Sequence, residues 1–125
     1  MKIFSKAWNR SKNPRKQRKY RLTAPLHVKH KLVGSLLSKE LRKKYGKRNM
    51  GVRKGDKVKI MRGKFKKLEG KIERINLKKI KVFISGVELT KKDGSKKMLA
   101  VHPSKIMITE LNLDDKLRRQ ALERK

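Results

Sequence analysis

Short stretches in which apolar residues alternate with lysine recur through the second half of the chain. Val58 and Ile60 alternate with Lys57 and Lys59, and this period of two is typical of a strand with one buried face. A glycine-bounded basic turn over residues 63–70 follows, and then a second strand whose first inward residue is Ile72. The pattern predicts two short strands joined by a cationic loop.

Three further strands are predicted after this pair. The third is expected to end at Gly86, with residues 87–90 continuing as strand or loop, and Asp93-Gly94 signals a hairpin turn. A proline-containing break at residues 102–105 separates the fourth strand from the fifth. Five short strands at close spacing favour a small barrel or sandwich. The predicted strands centre on residues 58–60, 72, 80–84, 99–101 and 106–108.

Capping residues mark two short helices in the first half of the chain. Asn13 and Pro14 suit the N-cap and first position of a helix that runs to Tyr20, although its cations surround the cylinder and leave it almost no face to bury. Ser38 and Gly46 suit the two ends of a second helix. The first helix is therefore expected to become ordered against a polyanion.

Two apolar side chains and one proline complete the prediction for this half. Leu41 and Tyr45 lie four residues apart, so they share one face of the second helix and are expected to dock onto the strands. Residues 23–32 are predicted to be extended, because Pro25 disfavours a helical conformation at its predecessor.

A third helix is predicted at the end of the chain, over residues 112–125. Asp114 and Asp115 come early, where acids complement the helix dipole or cap the helix, and arginines come late. We expect an apolar face to lie on the strands or on a neighbour. That face comprises Leu113, Leu117, Ala121 and Leu122.

The composition of the chain indicates which class of partner it binds. The 125 residues hold 40 Lys and Arg against 10 Asp and Glu, a net charge of +30, with 35% hydrophobic residues, enough for one small core. Residues 1–50 alone hold 17 basic residues and a single acid, Glu40. Such a block folds poorly by itself and binds polyanions well, so nucleic acid is the expected partner.

Several other classes of function fit the sequence poorly. The chain has no cysteine for a disulfide or thiolate site, and His27 and His30 alone make an incomplete zinc shell, so no metal or cofactor is expected. Ser104 near His102 lacks the orienting acid of a nucleophilic site, so we expect no enzyme. Apolar runs are too short for a membrane span or a signal segment, which leaves the cytoplasm as the default location.

The first twelve residues leave two alternatives open. Phe4 and Trp8 stand among lysines, and Asn9 and Ser11 interrupt any helical pattern. Trp8 could stack on an exposed base or cover a small apolar patch when this segment becomes ordered.

Several separate motifs resemble one known family. Residues 52–56, the loop after Gly63 and residues 68–71 resemble a KOW motif, and more closely that of the large-subunit ribosomal protein family numbered twenty-four in bacteria and twenty-six in eukaryotes. Ala-Pro-Leu-His at 24–27, Ser-Lys-Glu-Leu-Arg-x-Lys-Tyr-Gly at 38–46 and His-Pro-Ser at 102–104 are similar to the same family. The resemblance covers roughly residues 11–125, and the length and ending are closest to archaeal members.

The resemblance implies a fold and a function. The fold is mainly β, a five-stranded SH3-like (KOW) barrel with a long basic N-terminal extension containing short helices and with a C-terminal helix. The function is that of a structural constituent of the large ribosomal subunit. Such a protein binds 23S-type rRNA near its 5′ end, helps nucleate assembly and lies outside the subunit near the polypeptide exit tunnel, beside other ribosomal proteins and without forming a homo-oligomer. The expected parts are a basic extended rRNA-binding arm (1–35), a short helix and connector (36–50), the barrel (51–111) and the C-terminal helix (112–125).

One residue departs from the family pattern. Lys67 stands where the family usually has a glycine shortly before the motif glycine, Gly70. Because lysine tolerates positive φ poorly, we expect the tip of this loop to be bent differently.

Three groups of cationic and polar residues are expected to contact rRNA. Arginines can form two parallel hydrogen bonds to a phosphate, so Arg15, Arg18, Arg48 and Arg53 are expected to matter individually and most lysines to be replaceable one at a time. The groups are the arm (Lys12, Arg15, Lys16, Arg18, Lys19, Arg21, His27, Lys29, His30, Lys31), the connector (Lys47, Arg48, Arg53, Lys54) and the KOW loop with its neighbouring turn (Arg62, Lys64, Lys66, Lys67, His102, Ser104, Lys105).

The alternative function for a chain with these features is that of a KOW-type transcription elongation or chromatin factor.

Overall fold

The computed structural model describes residues 4–124, in which seven strands form one sheet accompanied by four α-helices. Two 3-10 turns, at Lys6–Arg10 and Pro103–Lys105, complete the elements. The helices are α1 (Pro14–Thr23), α2 (Leu26–Leu32), α3 (Lys39–Tyr45) and α4 (Lys116–Glu123). The strands are β1 (Gly34–Leu37), β2 (Asn49–Gly51), β3 (Lys57–Ile60), β4 (Glu69–Asn76), β5 (Lys81–Thr90), β6 (Lys96–Val101) and β7 (Ile106–Glu110).

The five predicted strands are confirmed as β3 to β7. The strand order is β2-β1-β7-β3-β4-β5-β6, so β7 returns to pair antiparallel with β3, and β3 to β6 form an antiparallel meander. The mainly β organisation is thus confirmed. The predicted closed barrel is not, because the described strands leave β2 and β6 as the two edges of an open sheet.

Two strands were not predicted. β1 pairs with β7 in parallel and with β2 antiparallel, which extends the sheet into the first half of the chain. Ser35 and Leu37 are the buried positions of β1. The Ser35 hydroxyl donates to the Pro103 carbonyl at 2.9 Å, which satisfies a polar group that burial would otherwise penalise. A serine at an inward position hides the alternation that reveals the other strands.

The prediction of an extended segment at residues 23–32 was wrong. Ala24, the residue before Pro25, is extended at ψ 135°, as proline requires, but α2 begins immediately afterwards. The Pro25 carbonyl accepts from the amides of Val28 and Lys29 at 3.1 Å. Proline restricts its predecessor and not its successors, so it begins this helix as the N-cap instead of preventing it.

The limits of the third predicted strand were also wrong. Ile80 lies in the preceding turn at φ 53°, and β5 runs from Lys81 through Gly86 to Thr90. Gly86 has φ 76°, and the β5–β6 register shifts between Phe83 and Glu88, so this glycine accompanies an irregularity in the strand and does not end it.

The helix caps predicted in the first half are confirmed. The Asn13 side chain accepts from the Arg15 amide at 2.9 Å, and the Ser38 hydroxyl accepts from the Leu41 amide at 3.3 Å. Gly46 ends α3 in the left-handed region at φ 65°. Leu41 packs against the core as predicted.

The core is formed mainly by the inward side chains of the strands. Val58, Ile72, Val82 and Ile84 are fully or almost fully buried there. β4 and β5 approach closely at Gly70, where an added Cβ would lie 2.5 Å from the Ser85 carbonyl oxygen. The motif glycine of the KOW loop is therefore required by packing.

The predicted C-terminal helix exists, but its buried face differs from the prediction. The Asp115 side chain caps α4 by accepting from the Leu117 amide at 2.9 Å, and Leu122 is buried as expected. Leu117 was expected to face the strands or a neighbour, and its exposed fraction of 72% shows that it does not pack on the strands. Arg118 is buried instead, because its partner Asp56 lies inside the fold.

Asp56 and Arg118 form a fully buried ion pair that joins α4 to the sheet. The guanidinium of Arg118 donates to both Asp56 carboxylate oxygens, at 2.6 and 2.7 Å. Asp56 also accepts from the amides of Arg53 and Asn112.

Among the helices of residues 4–124, none is long and apolar enough to cross a membrane.

Candidate nucleic-acid interface

The arm presents its cations on one folded helix. In α1, Arg15, Lys16, Arg18, Lys19 and Arg21 are all exposed, as is Lys12 just before it, and no residue of α1 is buried. The side-chain amide nitrogen of Gln17 donates to the carbonyls of residues 8, 9 and 11 at 2.8–3.0 Å. These hydrogen bonds join the preceding 3-10 turn to the helix. The cations of α1 are therefore held by local contacts and left facing solvent.

Trp8 packs within the arm. It is half-buried, and the Lys19 ammonium lies 4.7 Å from the centroid of the Trp8 ring. The rings of Phe4 and Tyr20 lie 5.3 Å apart, so a second aromatic contact joins the same two segments. These contacts support the structural alternative for Trp8, as part of a small patch between the 3-10 turn and α1.

α2 separates its predicted contact residues into two kinds. His27, His30 and Lys31 are exposed and available to a partner. Lys29 is buried at 7% exposure, and its ammonium donates to the Leu22 carbonyl at 3.2 Å. Lys29 thus joins α2 to the end of α1, and we leave it out of the proposed interface.

Two of the four connector residues also have partners within the chain. The Lys47 ammonium donates to the Ala121 carbonyl near the end of α4. Arg53 forms an ion pair with Asp115 while remaining about half exposed. The hydrogen bond from the Leu117 amide, together with Arg53, lowers the pKa of Asp115. Arg48 and Lys54 are exposed.

A groove of about 690 Å³ brings the arm and the connector together. His30 of α2 lines it together with Arg53 and Lys54 of the connector. Its apolar wall includes Ile75 at the end of β4 and the exposed side chain of Leu117. Two of the predicted contact groups therefore meet at one concave surface.

A smaller cavity of about 220 Å³ brings together the KOW loop and the turn before β7. Four predicted residues line it, Arg62 and Lys64 from the loop and His102 and Lys105 from the turn. Sequence reasoning missed Phe65 and Lys81, which line the same cavity. Phe65 could not be distinguished from a core residue, and Lys81 belongs to a strand whose outward face carries no motif. Lys66 and Lys67 are exposed at the tip of the loop, outside the cavity lining.

His102 is held in a defined orientation in this cavity. Its Nδ1 accepts from the Ser104 amide at 3.2 Å and lies 2.9 Å from the Ser104 hydroxyl oxygen. Partial burial, followed by the charges of Lys81, Arg21 and Lys105, lowers the pKa of His102. The ring is therefore neutral at neutral pH, and Ser104, which was predicted as a contact, orients it.

These surfaces suit a folded polyanion. Guanidinium and ammonium groups can bind phosphates and release counterions, and a concave site with an aromatic residue can also accept an unstacked base. Among residues 4–124, no group of three or more histidine and carboxylate side chains is arranged to hold a metal ion.

Comparison with known proteins identifies the family. The family model that describes eukaryotic ribosomal protein L26 and its archaeal counterpart, numbered twenty-four, matches residues 11–125. Large ribosomal subunit protein uL24 of Methanosphaera stadtmanae is 48% identical over 115 residues, which covers 92% of this chain and 98% of that protein. The chain therefore belongs to the uL24 family of ribosomal proteins, in its archaeal type.

Proposed function

We propose that this protein is a structural constituent of the large ribosomal subunit in the cytoplasm, that it binds large-subunit rRNA directly and that it has no catalytic role. Membership of the uL24 family supports the ribosomal assignment. The convergence of cations in the fold supports direct RNA binding.

The observation that carries the proposal is the cavity between the KOW loop and the turn before β7. Arg62 and His102 are 40 positions apart in sequence, yet both line it together with Lys105. Among the described residues that line this cavity none is acidic, so a phosphate entering it meets no opposing carboxylate from them.

The proposed interface combines this cavity with the exposed cations of the arm and connector. Shape and phosphate contacts dominate recognition of double-stranded RNA, and arginine and lysine are the side chains suited to them. Lys47 is left out along with Lys29, because the Ala121 carbonyl already occupies its ammonium. We also keep the SH3-like assignment for β3 to β7 as a proposal, which rests on the return of β7 to β3.

The location within the subunit is the finer part of the proposal. The family resemblance supports a site near the 5′ end of the rRNA, a role in nucleating assembly and a position on the outside near the exit tunnel. Long basic segments around one small core, with 17 cations and one acid in residues 1–50, suit a component that remains embedded in folded RNA.

The first experiment is sedimentation of cell lysate through a sucrose gradient in low and then high salt. We expect the protein to migrate with the large subunit and to remain bound to it after the high-salt wash. A protein that remains free, or that follows RNA polymerase or DNA, would favour the alternative of a KOW-type elongation or chromatin factor and overturn the ribosomal assignment.

Filter binding to a transcript of the rRNA 5′ domain then tests the KOW loop. The double variant Lys66→Ala/Lys67→Ala should reduce the slope of log K against log salt by about two units, one for each phosphate that is no longer bound. Lys91→Ala/Lys92→Ala, which removes the same charge from the exposed β5–β6 turn, is the control and should leave the slope unchanged. Equal slopes for the two variants would remove the tip of the loop from the interface.

A further inference from the structure

A second basic surface lies on the outer face of β4 to β6, away from every predicted contact except Lys54. A depression of about 670 Å³ is lined there by Arg74 and Phe83 together with Lys96 and Lys97. Among the described residues of this lining, Glu73 is the one acid. A large aromatic side chain is thus surrounded mainly by cations.

The backbone register accounts for the position of Phe83. Val82 and Ile84 on either side of it are fully buried in the core, so the intervening side chain points to the opposite, outer face. Phe83 is half-buried on that face, where Met98 is the one other apolar side chain among the described residues that line the depression. Phe83 is not among the residues that form the core or pack against it. Its aromatic ring is therefore expected to have a role at the surface.

Arg74 covers one face of the ring. The two residues are paired across the antiparallel β4–β5 ladder, and the guanidinium carbon lies 4.4 Å from the ring centroid of Phe83. A planar guanidinium that lies over an aromatic ring can stack on a base with its other face, as arginine does in single-stranded RNA sites. Arg74 itself is exposed.

Lysines around the pair are placed to hold the backbone of a bound strand. Lys96 and Lys97 are exposed on the adjacent strand β6. Lys54 lines both this depression and the groove shared by the arm and the connector, so one exposed cation borders both surfaces.

We propose that Arg74 and Phe83 form a stacking platform for an unpaired nucleotide of RNA, with Lys54, Lys96 and Lys97 binding the adjoining phosphates. This inference rests on the proposed rRNA binding and adds to it a site that shares no lining residue with the cavity beside the KOW loop. Stacking on the face of a planar side chain is tolerant of base identity, so the ligand is defined as single-stranded RNA and not as one base.

The test measures binding of the full-length protein to transcribed large-subunit rRNA over a range of salt concentrations. Phe83→Leu removes the ring that holds the Arg74 guanidinium in place for stacking, so it should weaken binding about five- to a hundredfold, the range of one base stack, without changing the salt slope. Phe83→Trp, which restores an aromatic ring, should retain wild-type affinity. Lys96→Ala/Lys97→Ala should instead lower the slope by about two units.

Tyr45→Leu is the matched control, because Tyr45 also lies beside a cation, with Lys44 at 5.3 Å from its ring centroid. It should change the affinity less than twofold. Melting temperatures of all variants separate a loss of binding from a loss of folding, and Phe83→Trp keeps the test valid if Phe83→Leu folds poorly.

Photocrosslinking supplies an independent readout. rRNA transcribed with 5-iodouridine should crosslink to the peptide that contains Phe83 in the wild-type complex. Tight wild-type binding with neither this crosslink nor an effect of Phe83→Leu would overturn the platform and leave rRNA binding intact, with the pair serving only to join the strands. Absence of wild-type binding would overturn the proposed function itself.

Discussion

Lys67 occupies a backbone conformation that usually belongs to glycine. Its φ is 75°, which lies in the region that lysine tolerates poorly, and the different bend expected at the tip of this loop stays a prediction. The Lys67 amide donates to the Ile60 carbonyl at 2.8 Å, and this hydrogen bond holds the tip of the KOW loop against β3. A non-glycine residue in the left-handed region costs roughly 1–2 kcal/mol, so Lys67 adds a positive charge to the loop at the expense of stability.

We predict that Lys67→Gly stabilises the free protein by about 1 kcal/mol, because relief of the backbone strain exceeds the entropy that glycine adds to the unfolded chain. The same variant should lower the salt slope of rRNA binding by about one unit. Urea unfolding and filter binding measure the two effects. Lys66→Gly removes the same charge at a position without positive φ, so it should destabilise the protein, and stabilisation by both variants would point to charge and not to φ.

His102 gives the free protein a defined pH dependence. Burial and the charges of Lys81, Arg21 and Lys105 depress its pKa below the ordinary 6.5, so the unfolded chain binds this proton more tightly than the folded one. The contribution of His102 to stability is therefore complete above about pH 6.5 and is lost as the pH falls through the lower pKa of the folded state. Unfolding in urea at several pH values should show this decline.

His102→Asn is the matched variant for this dependence. An asparagine oxygen can still accept from the Ser104 amide, which caps the 3-10 turn at Pro103–Lys105, but it does not titrate. The variant should keep the stability of the wild type above pH 6.5 and lose less of it below. A decline as steep as that of the wild type would assign the pH dependence to other groups.

At the scale of elements, α4 is held to the sheet by the Asp56–Arg118 pair. Arg118 also donates to the carbonyls of Gly51 and Asn112, at 3.0 and 2.7 Å, so one guanidinium joins β2, the segment after β7 and the turn before β3. A buried charge that loses its partner is far more costly than an intact pair is favourable.

Arg118→Met should therefore destabilise the protein by about 3–5 kcal/mol, since it leaves the Asp56 carboxylate buried without its counter-ion. Arg119→Met at the exposed neighbouring position should change stability by less than about 0.5 kcal/mol. Urea unfolding measures the stability of both variants and of the double variant Asp56→Asn/Arg118→Met, in which the buried carboxylate is also removed. Similar losses for Arg118→Met and Arg119→Met would show that the pair does not hold α4.

The elements that could be predicted are those whose cause is local. The alternation around Val58 and the caps at Ser38 and Gly46 act over a few residues, and all were confirmed. β1 depends on Ser35 meeting Pro103, and the burial of Arg118 depends on Asp56, 62 positions earlier. No short-range pattern reports such contacts.

The candidate site divides in the same way. Charge and the KOW resemblance led to Arg62, Lys64 and Lys105, which the fold brings to one cavity. The partner of Lys29 and the presence of Phe65 in the cavity depend on how the elements pack. Sequence thus indicates which residues carry charge, and the fold decides which charges reach the surface.

At the scale of the whole molecule, the positive charge is largely uncompensated. Within residues 4–124 the structure forms four ion pairs, and one of these is the buried pair of Asp56 and Arg118. The forty basic residues of this small protein face only ten acids, so exposed cations repel one another across distances comparable with the Debye length of about 10 Å at 0.1 M salt. Folding and RNA binding consequently respond to salt with opposite signs.

The free protein should become more stable when sodium chloride is raised from about 50 mM to about 500 mM, because screening weakens the repulsion within the folded state. Each kcal/mol recovered should raise the melting temperature by about 4 °C for a domain of this size. Over the same range the affinity for rRNA should fall by orders of magnitude. The variant Lys91→Gln/Lys92→Gln removes two exposed charges outside the proposed interface. Its melting temperature at low salt should therefore be higher than that of the wild type, and it should rise less as the salt concentration increases. Circular dichroism melting measures both proteins; a wild-type melting temperature that stays constant or falls with salt would mean that repulsion does not limit this fold.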